Sequence, residues 1–253
     1  MEILKDDKNL VKHLLDLANK SYSQNIFTFS EFLSESEIGV FYNYEREFDF
    51  IKYKIYGGMD DSERCMIRFG NEEELGYEEL FPITCLQIKP LIYKFADDLS
   101  HRDYLGAIMN LGIERNTTGD IIVQDKNAYV FVSEKIKQFI IDNLDKIKHT
   151  NVKIEEVAPY ENIRNKEPEQ KDVMVQSLRI DSIISKIYNK SRSQSIELFR
   201  EHKVFVNGKI YENNSGTLRE NDMVSVRGYG RFRYIGIQRN TNKGKIVISV
   251  DIF

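Results

Sequence analysis

The sequence predicts an α+β protein built in three parts, and three observations predict it. Segments with helical spacing alternate with short β-rich runs along the chain. Residues 81–158 carry the element order β-α-β-β-α-β. The charge also changes sign near residue 172: residues 1–172 hold 22 Lys+Arg against 33 Asp+Glu, and residues 173–253 hold 14 against 7. A net of −11 followed by +7 lies beneath the whole-chain value of −4. With 253 residues, 41% hydrophobic and 30% charged, the chain can bury a core in each of two or three domains.

The first part, residues 1–76, is read as an N-terminal α/β unit. Leu10, Leu14, Leu17 and Ala18 fall on one helical face, predicting a helix from Asn9 to about Tyr22. Ser34-Glu-Ser-Glu37 has the capping-box spacing of a helix start. The β-rich run Phe50–Tyr56, followed by Gly57-Gly58, pairs with Arg64–Phe69 as a hairpin. Phe27, Phe29, Phe32, Phe41, Tyr42, Tyr44 and Phe48 serve either as core, the ordinary use of aromatics, or as a surface on which bases stack.

The middle part spans residues 77–158. Ile83–Ile88 is a strand closed by Pro90, and Ser100 caps a helix that ends at Gly112. Asp120–Gln124 and Ala128–Val132 form a hairpin around Asp125-Lys-Asn127. Glu134–Ile147 is a second helix, with Ile136, Phe139, Ile140 and Leu144 on one face, and Val152–Val157 is the last strand. This order is the split βαβ, or ferredoxin-like, arrangement. Residues 159–172, PYENIRNKEPEQKD, are polar and aperiodic and read as a linker.

The basic third part, residues 173–253, has the sharpest pattern. Ile180, Ile183, Ile184 and Ile187 form one helical stripe. Ser191 then caps a second helix running to about Lys203, with Ile196 and Phe199 inward. Asn207-Gly208 between Val204–Val206 and Lys209–Tyr211 predicts a tight hairpin, because both central residues accept positive φ. Strands at Met223–Arg227, Arg231–Ile237 and Lys245–Val250 follow. The second helix starts with free backbone N–H groups and the positive end of its dipole, flanked by Lys190 and Arg192. Arg179, Arg200, Lys203 and Lys209 widen the positive field. Such a site suits backbone phosphates and specifies no base.

The run SLRIDSIISKIYNKSRSQSIELFREHKVFVNGKI, followed by ENDMVSVRG, resembles the S-four RNA-binding domain. The shared marks are Arg179 and Asp181 in the R-x-D opening, Ser191 to Gln194 at the helix start, and the V-x-V-N-G-K hairpin of Val204 to Lys209. Ser195, Phe199 and Asn221-Asp222 depart from the usual Ala, Ile and Gly-Asp. The resemblance implies two helices packed on a small sheet, with RNA along the second helix and adjoining strand. FPITCLQIKP, LSHRDYLGAIMNLGIERNTTGDIIV and SVRGYGRFRY widen the likeness, and the chain resembles the YlmH family of bacterial RNA-binding proteins. That resemblance implies binding to ribosomal RNA or tRNA on the large ribosomal subunit, extending to stalled peptidyl-tRNA complexes, and a link to cell division.

The residues expected to meet phosphates are Arg179, Lys190, Arg192, Arg200, Lys203 and Lys209. Ser191, Ser193, Gln194 and Asn207 are expected around the same contact as hydrogen-bonding groups, and Arg227, Arg231 and Arg233 as an extension along the sheet. His101-Arg-Asp103 has kinase-loop letters without the other kinase motifs. With Arg115 it is either a structural cluster or a second contact through His101, Arg102 and Arg115.

No catalytic domain accompanies the basic module, so the expectation is a non-enzymatic binder. An RNA-modifying enzyme of the pseudouridine synthase type and a protein-interaction adaptor are the alternatives. The four histidines and two cysteines show no metal spacing, and no nucleotide-binding loop is present. No cofactor or small-molecule substrate is therefore expected. No apolar run approaches a membrane span and the N-terminus has no signal-like core, giving a cytoplasmic, monomeric expectation.

Overall fold

The computed structural model describes residues 5–59, 62–157, 168–241 and 244–253. The chain forms two compact units, residues 1–164 and 165–253. Helix and strand are mixed throughout, as an α+β chain requires. The segments divided at residue 76 in the sequence lie together in the first unit.

The first unit opens with α1 (Lys5–Gln24), longer at both ends than the apolar stripe suggests. β1 (Thr28–Phe29), β2 (Tyr53–Tyr56) and β3 (Met66–Phe69) form an antiparallel sheet in the order β1-β3-β2. α2 (Glu35–Asn43) begins at the Ser34–Glu37 capping box. Phe27, Phe32, Phe41 and Phe48 are buried, so these rings are core rather than a stacking surface. A one-turn α3 (Glu72–Leu75) follows.

Next come β4 (Ile83–Pro90), α4 (His101–Asn110), β5 (Thr118–Gln124), β6 (Asn127–Ser133), α5 (Lys137–Asn143), β7 (Lys146–Ile147) and β8 (Thr150–Val157). Their antiparallel sheet has the order β5-β6-β4-β8-β7. The expected β-α-β-β-α-β order is present, with one strand added. The helix read over 134–147 is shorter than its apolar spacing. Leu144 is extended, and Lys146-Ile147 pair back onto Asn151-Thr150. Phe139, read on the apolar face, lies on the surface.

One core cluster joins Phe32 and Met66 to Cys85 and Phe131. Gly58 (φ +104°) approaches the Phe131 ring so closely that a Cβ there would lie 2.2 Å from it. Arg64 adds polar links, donating through Nε to the Thr118 carbonyl at 3.0 Å and through Nη2 to that of Phe32 at 2.9 Å. Asp120 accepts the Glu63 and Arg64 backbone N–H groups at 2.7 and 3.0 Å.

The second unit comprises β9 (Glu169–Val175), α6 (Ile180–Ile187), α7 (Arg192–Arg200), β10 (Val204–Val206), β11 (Lys209–Ile210), β12 (Met223–Val226), β13 (Gly230–Asn240) and β14 (Ile246–Ile252). The sheet runs β11-β10-β12-β13-β14-β9. β9 corrects the linker reading: residues 169–172 pair with β14 as an edge strand, and 159–167 lie outside the described residues. Charged residues suit an edge strand that buries only Val173 and Val175, which explains the polar appearance of the run. Ile180, Ile183 and Ile184 of α6 are fully covered, together with Val224, Phe232 and Ile248 of the sheet. Burying each such side chain contributes about 1.5–3 kcal/mol.

Candidate nucleic-acid interface

α7 starts where α6 must stop. Asn189 takes positive φ (50°) and the Lys190 N–H and carbonyl are both held by Ser185, through its backbone carbonyl (2.9 Å) and its hydroxyl (2.6 Å). Ser191 Oγ then accepts the Gln194 N–H at 3.2 Å, and Gln194 Oε1 accepts the Ser191 N–H at 3.0 Å. Ser193 Oγ lies 3.0 Å from Ser191 Oγ. Two of the expected RNA ligands, Ser191 and Gln194, thus form a capping box with Ser193 beside it, and all three are exposed. The helix has no acidic residue in its first turn, so its positive end keeps its sign.

Arg192 opens a cleft of about 500 Å³ lined by Arg179, Asp181, Ser182, Ser185 and Lys186 among others. Its one carboxylate is already engaged. Arg179 grips Asp181 with two parallel bonds, Nε to Oδ1 at 3.1 Å and Nη2 to Oδ2 at 2.7 Å. Burial alone would push the Asp181 carboxyl up. The Arg179 bonds and charge, with Arg192 nearby, bring it below its ordinary range. Arg179 therefore holds the α6 start as well as lining the cleft.

Ser195 Oγ donates to the Asp181 carbonyl at 2.7 Å, tying α7 to α6. This hydroxyl is buried at the position read as a departure from Ala, and Ile196, expected inward, is half-buried. Lys186 and its serine neighbours escaped the sequence reading. Their signal was the Arg179, Ser182, Lys186 spacing opposite the isoleucine stripe.

The remaining expected cations are not among the residues that line the cleft. Lys190 Nζ sits 4.4 Å from the Tyr229 ring centroid, and the exposed Tyr229 is a candidate that the sequence reading missed. The Lys203 carbonyl accepts the Arg227 N–H at 2.9 Å, while Lys203 Nζ pairs with Glu201 at 2.8 Å, which pushes its ammonium pKa up. Arg200 pairs with Glu197 at 3.1 Å in an exposed contact. Such pairs exchange partners at little cost. Arg231 and Arg233 both lie against the Phe253 ring, at 5.0 and 5.4 Å from its centroid. Lys209 is exposed opposite Val206 in the hairpin.

Asn207 forms and braces its own turn. Its φ of 51° and that of Gly208 (77°) make the two-residue turn. Its Nδ2 donates to Asp222 at 2.8 Å, and its Oδ1 accepts the Met223 N–H at 2.9 Å. The amide is engaged in holding the turn against β12.

In the first unit, Asp103 closes the α4 capping box by accepting the Ser100 N–H at 2.8 Å and pairs with Lys148 at 2.7 Å. The Lys148 and Ser100 bonds bring its carboxyl down to about 2. Arg115 donates to the Thr118 and Gly119 carbonyls, and burial, then Arg64, lowers its pKa to about 10. Its guanidinium fastens the β5 entry, whereas His101 and Arg102 stay exposed. Among the described residues, no group of three or more His, Cys, Asp or Glu could hold a metal ion. No described helix is long and apolar enough to cross a membrane.

Residues 77–161 match the family profile described as "Putative RNA-binding domain in YlmH". The chain is similar to the ribosome-associated protein quality control protein P2 of Bacillus subtilis (strain 168), with 30% identity over 193 residues, covering 75% of this chain and 73% of that protein. It also resembles the solved structure of the cell division protein ylmH from Streptococcus pneumoniae. That match has a TM-score of 0.50 and 20% identity, covering 64% of this chain and 96% of the other, and is a likeness of fold. By the extent of its identity to the Bacillus protein, the chain belongs to the YlmH family.

Proposed function

We propose that this protein is a non-catalytic RNA-binding protein whose residues 165–253 grip the phosphate backbone of structured RNA, ribosomal RNA or tRNA. The observation that carries the reading is the α6–α7 cleft: three cations and three serines line it, with one carboxylate that Arg179 already pairs. Phosphates entering there meet positive charge and the open end of α7.

The Bacillus relative's name supports a ribosomal setting. The finer reading is the large subunit, on complexes that hold a stalled peptidyl-tRNA, with the acidic first unit positioning the complex. The protein acts there as a monomer in the cytoplasm.

Co-sedimentation with purified ribosomal subunits tests this, comparing wild type with Arg192→Glu/Arg200→Glu at low and high salt. Wild type is expected in the large-subunit fraction at low salt, with the double variant at the top of the gradient and its melting temperature unchanged. Equal sedimentation of the two would overturn the site. Absence of wild type from both subunits would overturn the ribosomal reading.

A further inference from the structure

The segment between β4 and α4 leaves four large apolar side chains in solvent: Leu91 (60% exposed), Ile92 (61%), Tyr93 (56%) and Phe95 (76%). Isolated exposed apolar residues are ordinary, but four within five positions mark a contact surface. The segment is also held in shape. The Leu91 N–H bonds the Asn151 carbonyl at 2.9 Å, and a 3-10 turn covers Tyr93–Phe95. The Asp97 N–H donates to Thr150 Oγ1 at 2.8 Å. From the β5–β6 turn, Lys126 Nζ donates to the Ala96 carbonyl at 2.7 Å and lies 5.4 Å from the Tyr93 ring centroid. The ordering of this loop is therefore complete before any partner arrives, which favours binding.

Charge around the loop indicates the partner's chemistry. Lys94 sits 5.9 Å from the Phe95 ring centroid, and Lys126 lies under Tyr93. Lys89 and Lys153 are opposite each other just before the strands end at the loop. Of the acids, Asp97 accepts the His149 N–H and the Thr150 hydroxyl, Glu155 lies between Lys89 and Lys153, and Asp98 is 3.8 Å from Lys126. Aromatic rings with cations beside them are the arrangement that stacks unpaired bases while holding their phosphates.

We infer that the Leu91–Phe95 loop is a second RNA contact, in which Tyr93 and Phe95 stack unpaired bases and Lys94 and Lys126 meet the adjoining phosphates. This rests on the RNA-binding reading above and deepens it by assigning a base contact to the first unit.

The chain has no tryptophan, so Phe95→Trp places a single reporter in the loop of the full-length protein. A short oligouridylate is expected to quench its fluorescence saturably, whereas an abasic oligomer of equal length leaves it unchanged. Tyr93→Ala/Phe95→Ala is expected to weaken oligouridylate binding about ten-fold. Unchanged fluorescence in a chain that still binds the labelled oligomer would overturn the inference and leave the cleft reading intact, as would equal quenching by the abasic strand. Lost ribosome co-sedimentation by the alanine pair with undiminished oligouridylate binding would identify protein docking and likewise overturn it. A chain that binds neither single-stranded nor structured RNA at low salt would overturn both readings.

Discussion

Two helices of this protein begin on the same frame with opposite charge. α2 starts Ser34-Glu-Ser-Glu37 and α7 starts Ser191-Arg-Ser-Gln194. In each, the first serine caps the third helical N–H, the fourth residue returns a bond to the serine N–H, and the two serine hydroxyls lie 3.0 Å apart. α2 carries carboxylates in its first turn that satisfy its own dipole. α7 closes its box with a neutral amide and adds Arg192, leaving the positive end for an outside anion. The comparison teaches that the capping geometry is a common chassis. The two starts share that geometry and differ in the charge of two side chains.

The swap Arg192→Glu/Gln194→Glu gives α7 the charges of α2 and should have the largest effect. RNA affinity is expected to fall at least about 100-fold in a filter-binding titration, with an unchanged or slightly raised melting temperature. Its log K against log salt slope should also become shallower by roughly 0.7–0.9 for each lost phosphate contact.

Asp181→Asn tests the cleft beneath α7 instead of its rim. Denaturant unfolding of the second unit should show a loss of about 2–3 kcal/mol, at or below the range for a broken fully buried pair because Arg179 is partly in solvent. The Asp181 carboxyl is depressed in the fold, so its contribution is present above the ordinary carboxylate pKa near ~4 and disappears as pH falls through the lower folded value. The variant should therefore lose part of the acid limb of the stability profile.

Smaller effects come from the caps themselves. Ser34→Ala and Ser191→Ala should each cost about 1 kcal/mol, read as separate losses in the first and second units. The smallest change is expected from the reverse swap, Glu35→Arg/Glu37→Gln, placed in the Arg192→Glu/Gln194→Glu background. RNA affinity should recover by less than about two-fold, because the cleft of Arg179, Ser182 and Lys186 adjoins α7. A large recovery would mean that a charged helix start alone is enough.

The caps at Ser34, Ser100 and Ser191 were legible because each rests on a local spacing with a local cause. The same holds for the Asn207-Gly208 turn and the isoleucine stripe of α6. Elements set by distant partners were less legible. Leu144 and Ile147 continue a helical spacing, but pairing of Lys146-Ile147 with β8 takes them out of the helix. Glu169–Asp172 looks like linker until β14 lies beside it.

At the candidate site, residue type identified the cations but not their neighbours. Asn207 reads as a ligand, and the bonds of its amide to Asp222 and Met223 are not legible in the sequence. Lys186 reads as the polar side of a helix until the cleft gathers it with Arg192.

β9 lies at the edge of its sheet opposite β11, so the final strand of the chain is sheltered by a segment that precedes both helices. A trimmed fragment beginning at residue 177 would retain Arg179, Lys186 and Arg192 yet strip that shelter away. The uncovered rim of Val247–Val250 would then offer its backbone to the same rim of another molecule. Self-association of such a fragment would report the cut, not the oligomeric habit of the intact protein. A faithful minimal version of the basic unit has to begin ahead of Glu169.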